Sequence, residues 1–153
     1  MSTIKVDTYQ TRGGASEIAI DKLKGVAAAG SMLVVGEGGT NTTNLQQGLA
    51  KAWISLNGTG TIAIRDSFNV SDITDTAVGL TDVEIGTNMA SAEYSLSGAS
   101  GTFIGNSDNV RLGFSTEAGA PTAGTYRTVT REANDDNNRD VTYSFAQVFG
   151  DLA

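Results

Sequence analysis

The side chains best able to do chemistry in this chain are carboxylates. Asp66, Asp72, Asp75 and Asp82 lie close together in sequence, and the run Arg131-Glu132-Ala133-Asn134-Asp135-Asp136-Asn137-Asn138-Arg139-Asp140 is the densest polar stretch. Two carboxylates facing each other across strands could act as the acid and base of a glycosidase, and oxygen ligands at the density of residues 131–140 could hold Ca²⁺. Neither pattern is specific. The polar run lacks the central Gly and distal Glu of a calcium-binding helix-loop-helix, and Asp is a turn former that also discourages sheets from pairing at their edges. The 153 residues include no His and no Cys, so the usual general base, the commonest metal ligand, thiolate chemistry and disulfides are all missing. A Ser-His pair cannot be built. Gly36-Glu37-Gly38-Gly39 matches neither phosphate-binding glycine motif. These residues predict a protein that is not an enzyme, with no metal and no cofactor.

The elements that must position these groups are strands. Hydrophobic residues make up 39% of the chain, and Gly is 19 of 153 beside abundant Thr, Ser and Asn, with a single Pro at 121. That composition favours short strands and many turns. Trp53, Ile54 and Leu56 lead into Asn57-Gly58-Thr59-Gly60, a dipeptide signal for a tight hairpin. Thr61–Arg65 alternates Ile62 and Ile64 with small or charged residues, and Phe68, Val70 and Ile73 extend into a third strand with a kink after Val70. Val70–Thr74 and Leu80–Ile85 flank a connection over 75–79. Further strands are predicted at Ala92–Ser97, ended by Ser100-Gly101, then around Phe103-Ile104, Val110–Phe114, Tyr126–Arg131 and Val141–Val148, with a loop over 115–124. One short helix, capped by Asn44, fits Leu45–Ala52, where Leu45, Leu49 and Ala52 share a face. Strands recurring at this spacing predict an all-β fold, an antiparallel, jelly-roll-like β-sandwich over residues 44–153.

Residues 1–43 read as an extended, β-rich attachment arm. Ile4, Val6 and Thr8 alternate with Lys5, Asp7 and Tyr9, a strand able to add to the sheet of another chain. Ile18 and Ile20 mark a second strand, and Met32–Val35 a brief buried one before the Gly-rich boundary at 36–44. No leader peptide or membrane span is legible, and a net charge of −7 with scattered Lys and Arg argues against nucleic acid as a partner.

The segment from Trp53 through Asn57-Gly58-Thr59-Gly60 to Ile64-Arg65-Asp66-Ser67-Phe68-Asn69-Val70-Ser71 resembles one found in short virion structural proteins of marine bacteriophages, of the tail-fibre or appendage type. The opening Ser2–Thr8 and closing Val148–Ala153 are similar to the ends of such proteins. The resemblance implies a virion protein assembled in the host cytoplasm, working as a homotrimer among other virion proteins. It implies docking through the arm, at Ile4, Val6 and Thr8, and contact with a host cell-surface glycan or protein through distal loops. Asn134, Asp135, Asp136, Asn137 and Asn138 are the expected contact residues, with Tyr126 and Tyr143 as sugar-stacking partners. The same arm and sandwich would also suit a capsid decoration protein that cements the head. A depolymerase would require the carboxylate pair.

Overall fold

The computed structural model describes residues 32–101, 110–116, 119–133 and 135–153. The arm positions Ile4, Val6 and Thr8, the strand around Ile18 and the Phe103-Ile104 run lie outside these residues. The chain forms two four-stranded antiparallel sheets packed face to face, the all-β sandwich that the strand spacing predicts. Sheet one runs in the order β4 (Ala63–Phe68), β3 (Ala50–Asn57), β10 (Tyr143–Phe149), β7 (Ser95–Gly101). Sheet two runs β5 (Val70–Ala77), β6 (Leu80–Ile85), β9 (Thr125–Glu132), β8 (Val110–Phe114). A two-stranded hairpin, β1 (Leu33–Val35) with β2 (Thr42–Asn44), precedes them. The domain boundary drawn from composition at 43/44 thus falls inside β2, and the sandwich proper starts at Ala50.

The core forms where alternate residues of the two sheets meet. Ala52, Ile54 and Leu56 on β3 and Ala146 and Val148 on β10 pack against Val83 and Ile85 on β6 and Tyr126 on β9. Area removed from water at these positions drives the sheets together. Met89, in the irregular segment after β6, closes one end of the layer at 1% exposure.

Several local expectations shift under this packing. The helix is a single turn, α1 (Leu45–Gly48), capped as expected by the Asn44 side chain, which accepts from Gln47 N at 3.1 Å. Leu49 already has extended backbone, because burying Ala52, Ile54 and Leu56 demands a period of two from Ala50 onward. The β3–β4 hairpin is not a tight two-residue turn. Its loop covers residues 58–62, with positive φ at Gly60 rather than at Asn57. Gly58 N donates to Val141 O at 2.8 Å and so belongs to the neighbouring β9–β10 connection as well. A bulge at Arg65 sets Ile64 opposite Leu56 and Asp66 opposite Ser55, and Ile62 lies in the loop before β4, so the alternating run read over 61–65 is not one regular strand.

The register of β5 against β6 shifts between Val70 and Asp72, at the kink expected after Val70, and a sharper corner at Asn69 separates two strands in different sheets. Asn69 has φ of 54°, a left-handed conformation that Asn tolerates better than most residues. Its Nδ2 donates to Lys51 O at 2.9 Å and Thr87 O at 3.1 Å, and its Oδ1 accepts from Thr87 N at 2.6 Å. One side chain therefore joins the start of β3 to the segment that leaves β6. The connection read as 75–79 is only the Val78-Gly79 turn, since β5 runs to Ala77. Gly79 has φ of +69°, and a Cβ there would lie 2.6 Å from Thr130 O and 2.7 Å from Arg139 N.

β7 runs from Ser95 to Gly101, so Ser100 and Gly101 are its last two residues, paired with Ser144 and Tyr143. Gly98 faces inward, opposite Ala146, and an added Cβ would fall 2.3 Å from both Leu112 Cδ2 and Phe145 O. The glycine at 98 is thus a packing requirement at the β7–β8 side. Met32–Val35 pairs as a strand, but Leu33, Val34 and Val35 are 50–58% exposed rather than buried. No helix among the described residues is long and apolar enough to cross a membrane.

Candidate binding face

Strand directions give the sandwich two distinct ends. At one end, β1, β2 and α1 enter β3, the Asn69 corner passes between sheets, and Met89 bridges Leu152. The opposite end carries the 58–62 loop, the Val78-Gly79 turn and the β9–β10 connection, tied together by Gly58 N to Val141 O and by Gly79 N to Asp140 Oδ1 at 2.7 Å. The expected contact residues Asp135–Asn138 lie at this distal end, and Asn134 lies outside the described residues. Of the loop read at 115–124, residues 123 and 124 lie at the other end, beside the chain entry, since Ala123 O accepts from Met89 N and Gly124 O from Ile85 N. They cannot share a contact surface with residues 135–138.

Among the described residues, the charged side chains of the distal tip pair with one another. Asp136, at φ of 61°, pairs with Arg111 and lies 3.5 Å from Arg131 Nη1. Arg131 Nε donates to Asn138 Oδ1 at 2.9 Å, and Arg139 pairs with Glu132. Asp135 accepts from Asn137 N at 3.2 Å and from Asn137 Nδ2 at 2.6 Å, bonds that hold its carboxyl below the usual range. Exposed pairs such as Arg111 with Asp136 add little stability.

Tyr126 does not belong to a contact surface. Its side chain is 1% exposed, inside the core, with its ring edge-to-face to Phe114 at 6.2 Å. Burial pushes its phenol pKa well above 10, with the nearby Tyr94 phenol adding to the shift. The reason is strand register. Tyr126 sits opposite the inward-facing Val83, so the aromatic points between the sheets.

The exposed aromatics lie elsewhere, on the outer face of sheet one. Trp53 pairs with Phe68 on one side and Gln147 on the other. Ser55 pairs with Asp66 and Phe145, and Phe145 in turn with Ala99. Opposite residues share a face, so Phe68, Trp53, Phe145 and Tyr143 form one aromatic band across three strands. Trp53 is 36%, Phe145 45% and Phe68 53% exposed. The rings of Tyr143 and Phe145 stack at 6.2 Å with a 13° interplanar angle, and the Arg65 guanidinium lies 4.5 Å from the Tyr143 centroid. On β7 the outward positions are the small residues Ser95, Ser97, Ala99 and Gly101. The step from large rings to small side chains makes a groove of about 680 Å³ between Trp53, Asp66, Phe145, Gln147 and Ser97. Tyr143 is thus on the surface, whereas the sequence pairs it with Tyr126.

The four aspartates do not share this groove. Asp66 is in sheet one, whereas Asp72, Asp75 and Asp82 are in sheet two, where Asp82 is held by Arg127 at 2.5 and 2.7 Å. Among the described residues no group of three or more acidic side chains could hold a metal ion. Two buried hydroxyls, Tyr126 Oη and Ser144 Oγ, have no hydrogen-bond partner. The outer face was legible as alternation in β3 and β10, but alternation does not say which face turns outward. Comparison of the chain with models of known families, with functionally characterised proteins and with solved structures found no match.

Proposed function

We propose that this chain is a structural component of a bacteriophage particle, a homotrimeric appendage module of the tail-fibre type. It docks through its N-terminal arm to other virion proteins and directs its distal end toward the host surface. It works by binding, without catalysis. The resemblance at Ser2–Thr8, at Trp53–Ser71 and at Val148–Ala153 supplies the virion context.

The observation that carries the reading is the two-ended layout. The β1–β2 hairpin leads into the end that also holds Leu152, and the polar tip lies at the other. The entry end is also apolar where it meets solvent. Leu33, Val34 and Val35 on a bare two-stranded hairpin, with Leu49 and Leu152 nearby in the chain layout, are each 42–58% exposed. A lone hairpin of this size is marginal in water, and apolar surface gathered at one end favours association there.

A capsid decoration protein is the second reading, favoured by the same exposed hairpin, which would suit a staple between neighbouring shell subunits. Light scattering on the purified chain and on a form lacking residues 1–14 separates the two. A trimer that survives truncation supports the appendage reading, with the arm reserved for docking. A monomer in both forms refutes it and favours a protein that orders only on a shell. A trimer lost on truncation makes the arm itself the assembly element.

A further inference from the structure

We infer that the outer face of sheet one is a binding site for a neutral saccharide chain, seated in the groove between Trp53 and Phe145 and hydrogen-bonded by Asp66 and Gln147. The inference deepens the host-contact part of the proposed function and moves the contact from the distal loops to the sheet.

Ring geometry comes first. Trp53 and Phe145 occupy adjacent strands one residue pair apart, since Trp53 is opposite Gln147 and Phe145 is opposite Ser55. Diagonal neighbours of this kind lie roughly 7–8 Å apart, a spacing on the scale of one sugar ring. The C–H faces of a pyranose carry partial positive charge and are attracted to the negative face of an aromatic ring. A specific saccharide site also needs polar groups beside the rings, because hydroxyls left unpaired on binding oppose it. This groove has them. Asp66 and Ser55 lie on one flank and Gln147 and Ser97 on the other. One Asp66 oxygen accepts from Ser67 N at 2.9 Å, which fixes the carboxylate while its second oxygen can take a hydroxyl.

The floor and the charge select the ligand further. Outward Ser97, Ala99 and Gly101 on β7 leave room for a chain to cross the strands. The groove is lined by one carboxylate and by no Lys or Arg, Arg65 on the same face is engaged by the Tyr143 ring and by Thr142 O, and the chain has a net charge of −7. Sulfated, phosphorylated or sialylated glycans and nucleic acids are therefore repelled. A flat apolar partner would bury Asp66 and Gln147 without compensation.

Trp53 is the only tryptophan, so its emission reports on this site alone. The full chain is titrated with cellohexaose, maltohexaose, chitohexaose and mannohexaose, with a heparin hexasaccharide as the anionic control. At least one neutral sugar is expected to give a saturable change in Trp53 emission, and heparin none. By calorimetry, Trp53→Ala is expected to weaken that binding by about tenfold or more, as loss of a central aromatic anchor does. Asp66→Asn, nearly isosteric and exposed, is expected to weaken it by about tenfold through loss of a charged acceptor, with circular dichroism unchanged. No saturable response to any neutral sugar, or equal binding of heparin, overturns the proposal. So does loss of the oligomer in Trp53→Ala, which would make this face a contact between copies. Native mass on the same samples keeps the outcomes apart: a monomer that binds sugar refutes trimeric assembly and leaves the groove standing.

Discussion

Removing the Asn69 side chain tests the joint between the two sheets. In Asn69→Ala the bonds to Lys51 O, Thr87 O and Thr87 N disappear. The partly buried bond to Lys51 O is worth about 1–1.5 kcal/mol and each of the two more exposed ones about 0.5 kcal/mol. Alanine must also hold φ near 54°, which costs about 1 kcal/mol more than for Asn. The sum is about 3 kcal/mol. Asn69→Gly relieves the backbone cost and keeps the hydrogen-bond loss, so about 2 kcal/mol is expected. Asn69→Asp retains an acceptor for Thr87 N but turns an oxygen toward two carbonyls, and should be at least as harmful as alanine. Urea unfolding followed by Trp53 emission and far-ultraviolet circular dichroism, at fixed protein concentration, gives each value. If Asn69→Ala falls within about 0.5 kcal/mol of the parent, which is less than one net hydrogen bond, the corner is not a joint. If glycine and alanine destabilise equally, the left-handed backbone carries no cost and that part of the reasoning fails.

Gly79→Ala places a Cβ against Thr130 O and Arg139 N at positive φ. A loss of roughly 2–4 kcal/mol is expected from overpacking plus backbone strain, read as a lowered urea midpoint. Tyr126 has its phenol pKa raised above the ordinary 10.0 by burial, so the unfolded chain releases this proton first as pH rises. Stability should be level with respect to this group below pH 10 and fall above it. Tyr126→Phe should flatten that alkaline fall in a pH series of unfolding curves. Because Tyr126 Oη is buried without a partner, the same variant should be no less stable than the parent at neutral pH, and a clear loss there would mean the hydroxyl has a partner such as bound water. Ile54→Ala removes a core side chain 2% exposed and should cost about 2–5 kcal/mol, whereas Phe68→Ala, half exposed, should cost much less.

The class of fold is legible in the residues alone. Short alternating runs separated by Gly, Asn and Asp, with a composition low in hydrophobics, point to an antiparallel sandwich or barrel, and the pairing of the strands makes it a sandwich. The sequence also located the Asn44 cap, because a cap depends on contacts within a few residues. Strand pairing decided the rest. In β10 the sequence separates Tyr143, Phe145 and Gln147 from Ser144, Ala146 and Val148, yet hydrophobicity alone would turn the aromatics inward. The structure turns the smaller residues inward, because β10 sits between β3 and β7, and the close approach at Gly98 leaves no space for rings there. In β9 the opposite choice turns Tyr126 inward, beside Val83 of β6 and against the facing sheet. Period two identifies the members of each face, but which face is buried depends on the register and spacing of strands distant in sequence. For the same reason Asn69, one polar residue in a strand-like run, becomes a corner only when Lys51 and Thr87 are brought to either side of it.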